Sequence, residues 1–180
     1  ADLAALEPAI EGRFAQGLYL PHEGQLDNRQ LLAALLHRMQ TLDVQVHWHT
    51  PLPLAHAQVL QQQQGGWLLD CRGLGAQHEW QPGQQSTQQL LRGVRGEVAR
   101  IHAPDVTLQR PTRLLHPRYP IYIAPKPDHI FVIGATEIES NDLSPISVRS
   151  TLELLSAAYA VHPGFGEGRI VELTTQCRPT

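Results

Sequence analysis

Residues 116–140, HPRYPIYIAPKPDHIFVIGATEIES, indicate the fold more strongly than any other stretch of the sequence. Two apolar runs, 121–124 and 130–134, flank the four-residue break PKPD. This pattern predicts two antiparallel strands joined by a hairpin, with both prolines outside the pairing register. Side chains alternate along a strand, so Tyr122 would face away from Ile121 and Ile123. A polar segment, GATE, follows the second strand directly.

Working outward, the rest of the chain mixes helix and strand patterns. A short helix opens residues 1–27, and residues 27–40 are typical of a helix capped by Asp27 or Asn28. Residues 147–162 predict a second long helix that stops at Pro163, with a stripe of Val148, Leu152, Leu155 and Tyr159. Strands are predicted at 44–50, 96–103 and 168–175, a hairpin-like pair at 54–73, and one helical turn near 86–91. We therefore predict one α+β domain, in which a large antiparallel or mixed sheet carries flanking helices.

Composition excludes several classes of protein. The 180 residues suffice for one core, and a net charge of -3 does not suit a nucleic-acid binder or a polybasic membrane patch. No apolar run reaches the roughly 18 residues of a membrane span, and no signal segment opens the chain. Cys71 and Cys177 are too few for a disulfide framework. These features predict a cytoplasmic protein with no nucleic-acid or membrane partner.

Motifs read singly do not reveal a reaction. His47 and His49 would share one strand face, but a metal site needs further ligands, so we predict no metal. The turns CRGLGA and GVRGEV lack the G-x-G-x-x-G pattern of a dinucleotide site, and no G-x-S-x-G elbow occurs. Composition and spacing alone indicate only a soluble α+β domain.

Seven motifs in order carry a more specific signal: DNRQLLAAL, HTPL, DCRGLGA, VRGEV, YPIYIAP, VIGATE and CRPT. Together they resemble the D-amino acid oxidase superfamily of FAD-dependent enzymes, and within it the glycine oxidases of thiamine biosynthesis. The similarity runs from about residue 15 to 180. In the family, a G-x-G-x-x-G segment binds FAD beside a substrate domain built on a large antiparallel sheet. Because residues 1–180 lack that segment and break off at QCRPT, we predict a substrate-domain fragment that is inactive alone.

The resemblance implies roles for three substrate-site residues. Arg178 matches a family arginine that grips the substrate carboxylate, and Tyr122 matches a tyrosine that binds the same group. An exposed or salt-bridged arginine and a half-buried aromatic ring remain the structural alternatives. Glu137 lies near the family's substrate pocket, where glycine oxidases carry an apolar residue, so the identity of the substrate stays open.

The resemblance also implies contacts with FAD and a type of chemistry. Leu52 matches a position that meets the adenine end, and Cys71, Arg72 and Gly73 match a segment that returns to the flavin. The implied reaction oxidises a small amino acid, such as glycine, to its imine and forms hydrogen peroxide from oxygen. No acid–base side chain is needed if the amine enters unprotonated, so no catalytic residue is predicted.

Two alternatives and a possible assembly stay open. One alternative is another oxidase or dehydrogenase of the superfamily, acting on D-amino acids or sarcosine-like amines. The other is a non-catalytic binding module that shares the sheet. A homo-oligomer is also compatible with the sequence.

Overall fold

A computed structural model describes residues 3–77, 91–116 and 120–180. These residues divide into two compact units. Unit 1 comprises Ala1–Gln25 and Gly93–Arg178, and unit 2 comprises Leu26–Arg92 and Pro179–Thr180. The helices are α1 (Leu3–Leu6), α2 (Asn28–Thr41), α3 (Leu54–Gln64) and α4 (Val148–Val161). The strands are β1 (Gly93–His102), β2 (Thr112–Leu114), β3 (Ile121–Lys126), β4 (Ile130–Gly134), β5 (Ile138–Glu139) and β6 (Arg169–Pro179).

The strands form one six-stranded sheet within the described residues. Its order is β2-β3-β4-β1-β5, and β6 also pairs with β1. The pairs β1–β4, β1–β5, β2–β3 and β3–β4 are antiparallel. The predicted α+β class, with an antiparallel sheet and flanking helices, is confirmed.

The hairpin formed by β3 and β4 brings Tyr122 opposite Gly134. Asp128 and His129 take positive φ in the three-residue turn 127–129, a conformation in which Asp and His are enriched. One detail of the prediction is wrong, because Pro125 lies inside the register, opposite Phe131. Its carbonyl accepts a hydrogen bond from the Gln25 amide. Because the N–H and C=O positions of a strand residue point to the same side, the proline ring nitrogen also faces away from β4 and costs the ladder nothing.

Helix α4 begins as predicted, with the Ser147 hydroxyl accepting from the Ser150 N–H at 3.1 Å. Its buried face, however, differs from the predicted stripe, because Val148, Leu152 and Tyr159 are exposed. The buried side chains recur instead at positions i, i+3, i+4 and i+7. Leu154, Ala157, Ala158 and Val161 belong to one core cluster that also includes Ile101, Ile123, Phe131 and Ile133 of the sheet. Two small alanines let the helix backbone approach the sheet.

Unit 2 contains α2 and α3. The Asp27 side chain accepts from the N–H groups of Arg29 and Gln30, which confirms the predicted cap of α2. The predicted hairpin over 54–73 is wrong: its first half is α3, which ends at Gly65 with φ 77°. Ala, Leu and Gln favour a helix there, and the glycine suits the left-handed end.

The strand predicted at 44–50 is also wrong, since these residues form no regular element. Alternation alone does not make a strand, because the backbone needs a neighbouring strand for its hydrogen bonds, and the ladders of the described residues do not include this stretch. The turn predicted near 86–91 lies almost wholly outside the described residues. In the described parts of the chain, the helices are too short or too polar to cross a bilayer.

Candidate functional site

A cleft of about 1000 Å³ lies within unit 1, where β3 and β4 meet the segment that follows β4. Its walls come from the sheet, from the first turn and a half of α4 and from the end of β6. The lining includes Tyr122, Gly134, Thr136, Glu137, Ser150 and Arg178. The cleft thus gathers the three side chains that the resemblance assigns to the substrate.

Tyr122 reaches this cleft because successive side chains of β3 point to opposite faces of the sheet. Ile121 and Ile123 enter the core, whereas Tyr122 is 39% exposed on the opposite face. Its ring lies across Gly134 of β4, where an added Cβ would sit 2.6 Å from the tyrosine hydroxyl oxygen. Burial raises the pKa of the Tyr122 hydroxyl, and the nearby Arg178 charge opposes that shift. The hydroxyl therefore stays protonated at neutral pH and can donate a hydrogen bond.

Arg178 extends from the end of β6 over Gly96 of β1. A Cβ at Gly96 would lie 3.6 Å from the Arg178 Nη2 atom, an ordinary van der Waals distance, so the guanidinium lies against the backbone of β1. Nη2 donates to the Thr136 carbonyl oxygen at 3.4 Å and lies 3.7 Å from Glu137 Oε1. The side chains of Arg178 and Glu137 are 52% and 78% exposed, so their ion pair contributes at most about 1 kcal/mol. An incoming carboxylate can therefore displace Glu137 at small cost.

A buried ion pair lies in the same unit and was not predicted. Arg95 and Glu97 of β1 are 5% and 0% exposed, and Arg95 Nη2 lies 2.7 Å from Glu97 Oε1. Arg95 also donates to the carbonyl oxygens of Asp142 and Pro145, at 2.7 and 2.9 Å. The sequence held a signal for this pair. In an alternating strand, residues 95 and 97 share the phase of the apolar Ala99 and Ile101.

The Glu97 carboxylate is fully hydrogen-bonded. It accepts from the Ser147 N–H at 3.3 Å and from the Thr136 hydroxyl at 3.0 Å. Burial alone raises the pKa of Glu97. Hydrogen bonds from Ser150, Arg95, Ser147 and Thr136 outweigh burial and hold that pKa below its ordinary value. Glu97 is therefore a buried anion that links α4 to the segment after β4.

The four residues that the resemblance assigns to FAD lie in unit 2. Leu52 and Cys71 are exposed. The Arg72 guanidinium is paired with Asp70 at 2.8 Å, and hydrogen bonds from Arg72 lower the pKa of Asp70 to about 2. Gly73 takes φ 55° at the start of a short 3-10 turn, a conformation that favours glycine. The exposed Leu52 side chain and the turn at Gly73 are compatible with contacts to a flat cofactor, and their role toward FAD stays a prediction.

His47 and His49 do not share a strand face, because their segment is not a strand. His49 takes φ 53°, which further breaks the alternation. Across the described ranges, His, Cys, Asp and Glu side chains form no group of three that could hold a metal ion.

Comparisons with known proteins match this chain to a family and to individual relatives. The family described as FAD dependent oxidoreductase matches residues 1–180. A protein of Rhizobium etli named as the thiamine biosynthesis oxidoreductase ThiO is 44% identical over 177 residues, which are 98% of this chain and 50% of that protein. The chain therefore spans about half the length of this curated relative.

Solved structures give weaker matches. A glycine oxidase from Geobacillus kaustophilus is 27% identical over 50% of this chain and 24% of its own, with a TM-score of 0.44. A glycine oxidase from Bacillus cereus is 26% identical over 49% of this chain and 24% of its own, also with a TM-score of 0.44. The family match and the Rhizobium relative confirm the resemblance that the seven motifs indicate.

Proposed function

This chain belongs to the family of FAD dependent oxidoreductases, and from that premise we propose that its gene product oxidises glycine or a similar small amino acid. The amino acid loses two electrons and two protons to become the imine, and oxygen takes them up to become hydrogen peroxide. The name of the Rhizobium relative extends the proposal to a role in thiamine biosynthesis. We also propose that residues 1–180 form the substrate-binding domain of that enzyme.

The observation that carries the proposal is the meeting of Tyr122 and Arg178 in one cleft. A guanidinium presents two parallel N–H donors that match the two oxygens of a carboxylate. A protonated tyrosine hydroxyl supplies one more donor for the same anion. These groups would hold the carboxylate at one end and orient the rest of a small amino acid.

Glu137 adds an anion to a cleft that would otherwise be cationic at this end. It would pair with Arg178 in the absence of substrate and would remain beside the amino acid after displacement. We propose that Glu137 helps to determine which amino acid the cleft binds.

FAD, when bound, supplies the two-electron acceptor that amine oxidation requires. Leu52, Cys71, Arg72 and Gly73 would contact it in unit 2 through the exposed Leu52 and Cys71 side chains and the turn that begins at Gly73. Both cysteines are free thiols, in keeping with a reducing cytoplasm. The chain's own residues would bind and orient the substrate, and the proposal requires no acid–base side chain from them.

The direct test uses the purified full-length gene product. We expect a yellow protein that forms peroxide with glycine, and its rates with sarcosine and D-alanine would define the accepted substrates. A full-length protein without flavin, or without peroxide from all three amines, would exclude an amine oxidase. The same panel applied to Glu137→Gln should change the ratio of kcat/KM among the three substrates.

Arg178→Ala tests the carboxylate contact in that protein. A charge-assisted hydrogen-bonded pair contributes about 1.5 to 3 kcal/mol, so KM for glycine should rise by about tenfold or more. Arg169→Ala is the matched control, because Arg169 lies at the other end of β6 and donates to the Glu167 carbonyl. Equal KM values for the two variants would remove Arg178 from the site.

A further inference from the structure

The direction of the Arg178 side chain depends on the segment that follows β4. Arg178 is half exposed, and its terminal nitrogen donates to the Thr136 carbonyl oxygen at 3.4 Å. The same nitrogen lies beside Gly96, 3.6 Å from where a Cβ of that residue would stand. A shift of Thr136 would therefore move the acceptor that holds the guanidinium.

Thr136 is itself held by three hydrogen bonds to one residue. Its hydroxyl donates to Glu97 Oε2 at 3.0 Å and accepts from the Glu97 N–H at 3.0 Å. Its own N–H donates to the Glu97 carbonyl oxygen at 3.4 Å. Three bonds to one neighbour fix both the position and the rotation of Thr136.

Glu97 does not line the cleft, yet it is fixed from the other side as well. Two Arg95 nitrogens bind its Oε1 atom at 2.7 and 3.1 Å, and the Ser147 N–H binds the same oxygen at 3.3 Å. These partners belong to β1 and to the cap of α4, both of which are packed into the core. The rigid core of unit 1 thus connects through Glu97 to Thr136, and from there to Arg178.

We propose that Glu97 and Thr136 are positioning residues, which set the direction of the Arg178 guanidinium so that it meets the carboxylate of the ligand. The inference rests on the proposed role of Arg178 as the carboxylate contact. Glu97 acts indirectly: it holds the Thr136 hydroxyl, and the Thr136 carbonyl oxygen in turn accepts from Arg178. The direction of the guanidinium matters because two parallel N–H bonds to a carboxylate form in one orientation only, and a misplacement of about 1 Å can lower a rate by about a hundredfold.

Thr136 is a sharper place to test this than Glu97. Removing the Glu97 charge would take away the buried partner of Arg95 and leave it the largely exposed Asp142 carboxylate at 3.2 Å, so the fold itself would lose stability. Thr136→Val keeps the shape of the side chain and the backbone carbonyl but removes the hydroxyl. Thr136→Ser restores the hydroxyl. Thr175→Val is the matched control, because the Thr175 hydroxyl accepts from Arg95 Nη2 at 3.4 Å in the same network, and Thr175 lies on β6, the strand that carries Arg178.

The measurement is the Kd of glycolate, a small carboxylate without an amine, by calorimetry on the flavin-loaded full-length protein. We expect Thr136→Val to raise this Kd by about tenfold, and Thr136→Ser and Thr175→Val to change it by less than about twofold. An unchanged Kd in Thr136→Val would overturn the inference. An equal rise in Thr175→Val would also overturn it, because a general loosening of the network would then explain both results.

Crystal structures of wild type and Thr136→Val separate this inference from the proposed function. The inference requires that the Arg178 guanidinium change direction in Thr136→Val, whether or not the protein oxidises amines. Absence of peroxide with glycine, sarcosine and D-alanine would end the proposed function alone. If glycolate does not bind wild type, an Arg178 that keeps its direction in Thr136→Val still refutes the positioning role, and one that turns away supports it.

Discussion

At the scale of single residues, the contact between Tyr122 and Gly134 leads to a prediction about stability. A Cβ at residue 134 would lie 2.6 Å from the Tyr122 hydroxyl oxygen and 3.1 Å from Val98 Cγ2. Gly134→Ala should therefore force the tyrosine out of its place and lower the free energy of unfolding by about 1 to 3 kcal/mol. Thermal or urea unfolding of the full-length gene product measures this loss.

Gly24→Ala provides the matched control for that experiment. Nothing lies within 4 Å of a Cβ at Gly24, and its φ is not in the left-handed region. Its free energy of unfolding should stay within about 0.5 kcal/mol of wild type. In a Tyr122→Ala background the cost of Gly134→Ala should fall, because the side chain that clashes is gone. A cost that stays the same would mean that Tyr122 does not lie over Gly134.

Residue patterns predicted part of the candidate site but not the buried ion pair that lies in the same unit. Strand alternation correctly put Tyr122 opposite the core residues of β3, and the motif order named Arg178, which lies in the same cleft. Arg95 and Glu97 enter the sequence analysis only within the motif VRGEV, because burial is not expected of a charged side chain until its partners are known. Each is the nearest partner of the other, two residues away, but their further partners Thr136 and Pro145 lie 39 and 50 residues away in the sequence.

At the scale of elements, α4 shows that a helix is easier to predict than the face it buries. Leu154 is 2% exposed, whereas Leu152 is 61% exposed. Leu154→Ala should therefore lower the free energy of unfolding by about 2 to 5 kcal/mol, since it leaves a cavity in the core. Leu152→Ala, the same chemical change two residues earlier, should cost less than about 0.5 kcal/mol. Chemical denaturation of both variants gives the comparison, and similar losses would show that the helix is rotated from the described position.

Short sequence patterns predict an element well when the backbone hydrogen bonds of that element join residues close together in the sequence, as in a helix cap or a hairpin. The cap of α2, the cap of α4 and the β3–β4 hairpin belong to this group. Residues 44–50 show the limit, because a strand requires a partner that the alternating pattern cannot supply. Residues 54–64 show the opposite error: a glutamine run interpreted as a turn is a helix former once Ala and Leu precede it.

At the scale of the whole molecule, the described titratable groups with lowered pKa values act on stability in the same direction. The pKa of His162 is lowered by burial and by the Arg13 charge, and that of Asp142 by hydrogen bonds from Ser144. The pKa of Glu97 is also lowered, as is that of Asp70. Each of these groups holds fewer protons in the folded state than in the unfolded state at a given acidic pH. Acidification therefore destabilises the fold, first through His162 below its ordinary pKa of 6.5 and then through Glu97 below 4.5.

His162 allows the first of these two steps to be isolated. Its Nδ1 atom accepts from the Gly164 N–H at 3.1 Å and so caps the 3-10 turn Pro163–Glu167. A protonated imidazole has no lone pair for that bond, so the contribution of the cap is present above pH 6.5 and is lost as the pH falls below it. Asn is a good cap that does not titrate, so His162→Asn should keep the turn at every pH. We expect the midpoint of urea unfolding to fall between about pH 7.5 and 5.5 in wild type and to fall less in His162→Asn. Equal slopes in the two proteins would assign the acid response above pH 5.5 to other groups.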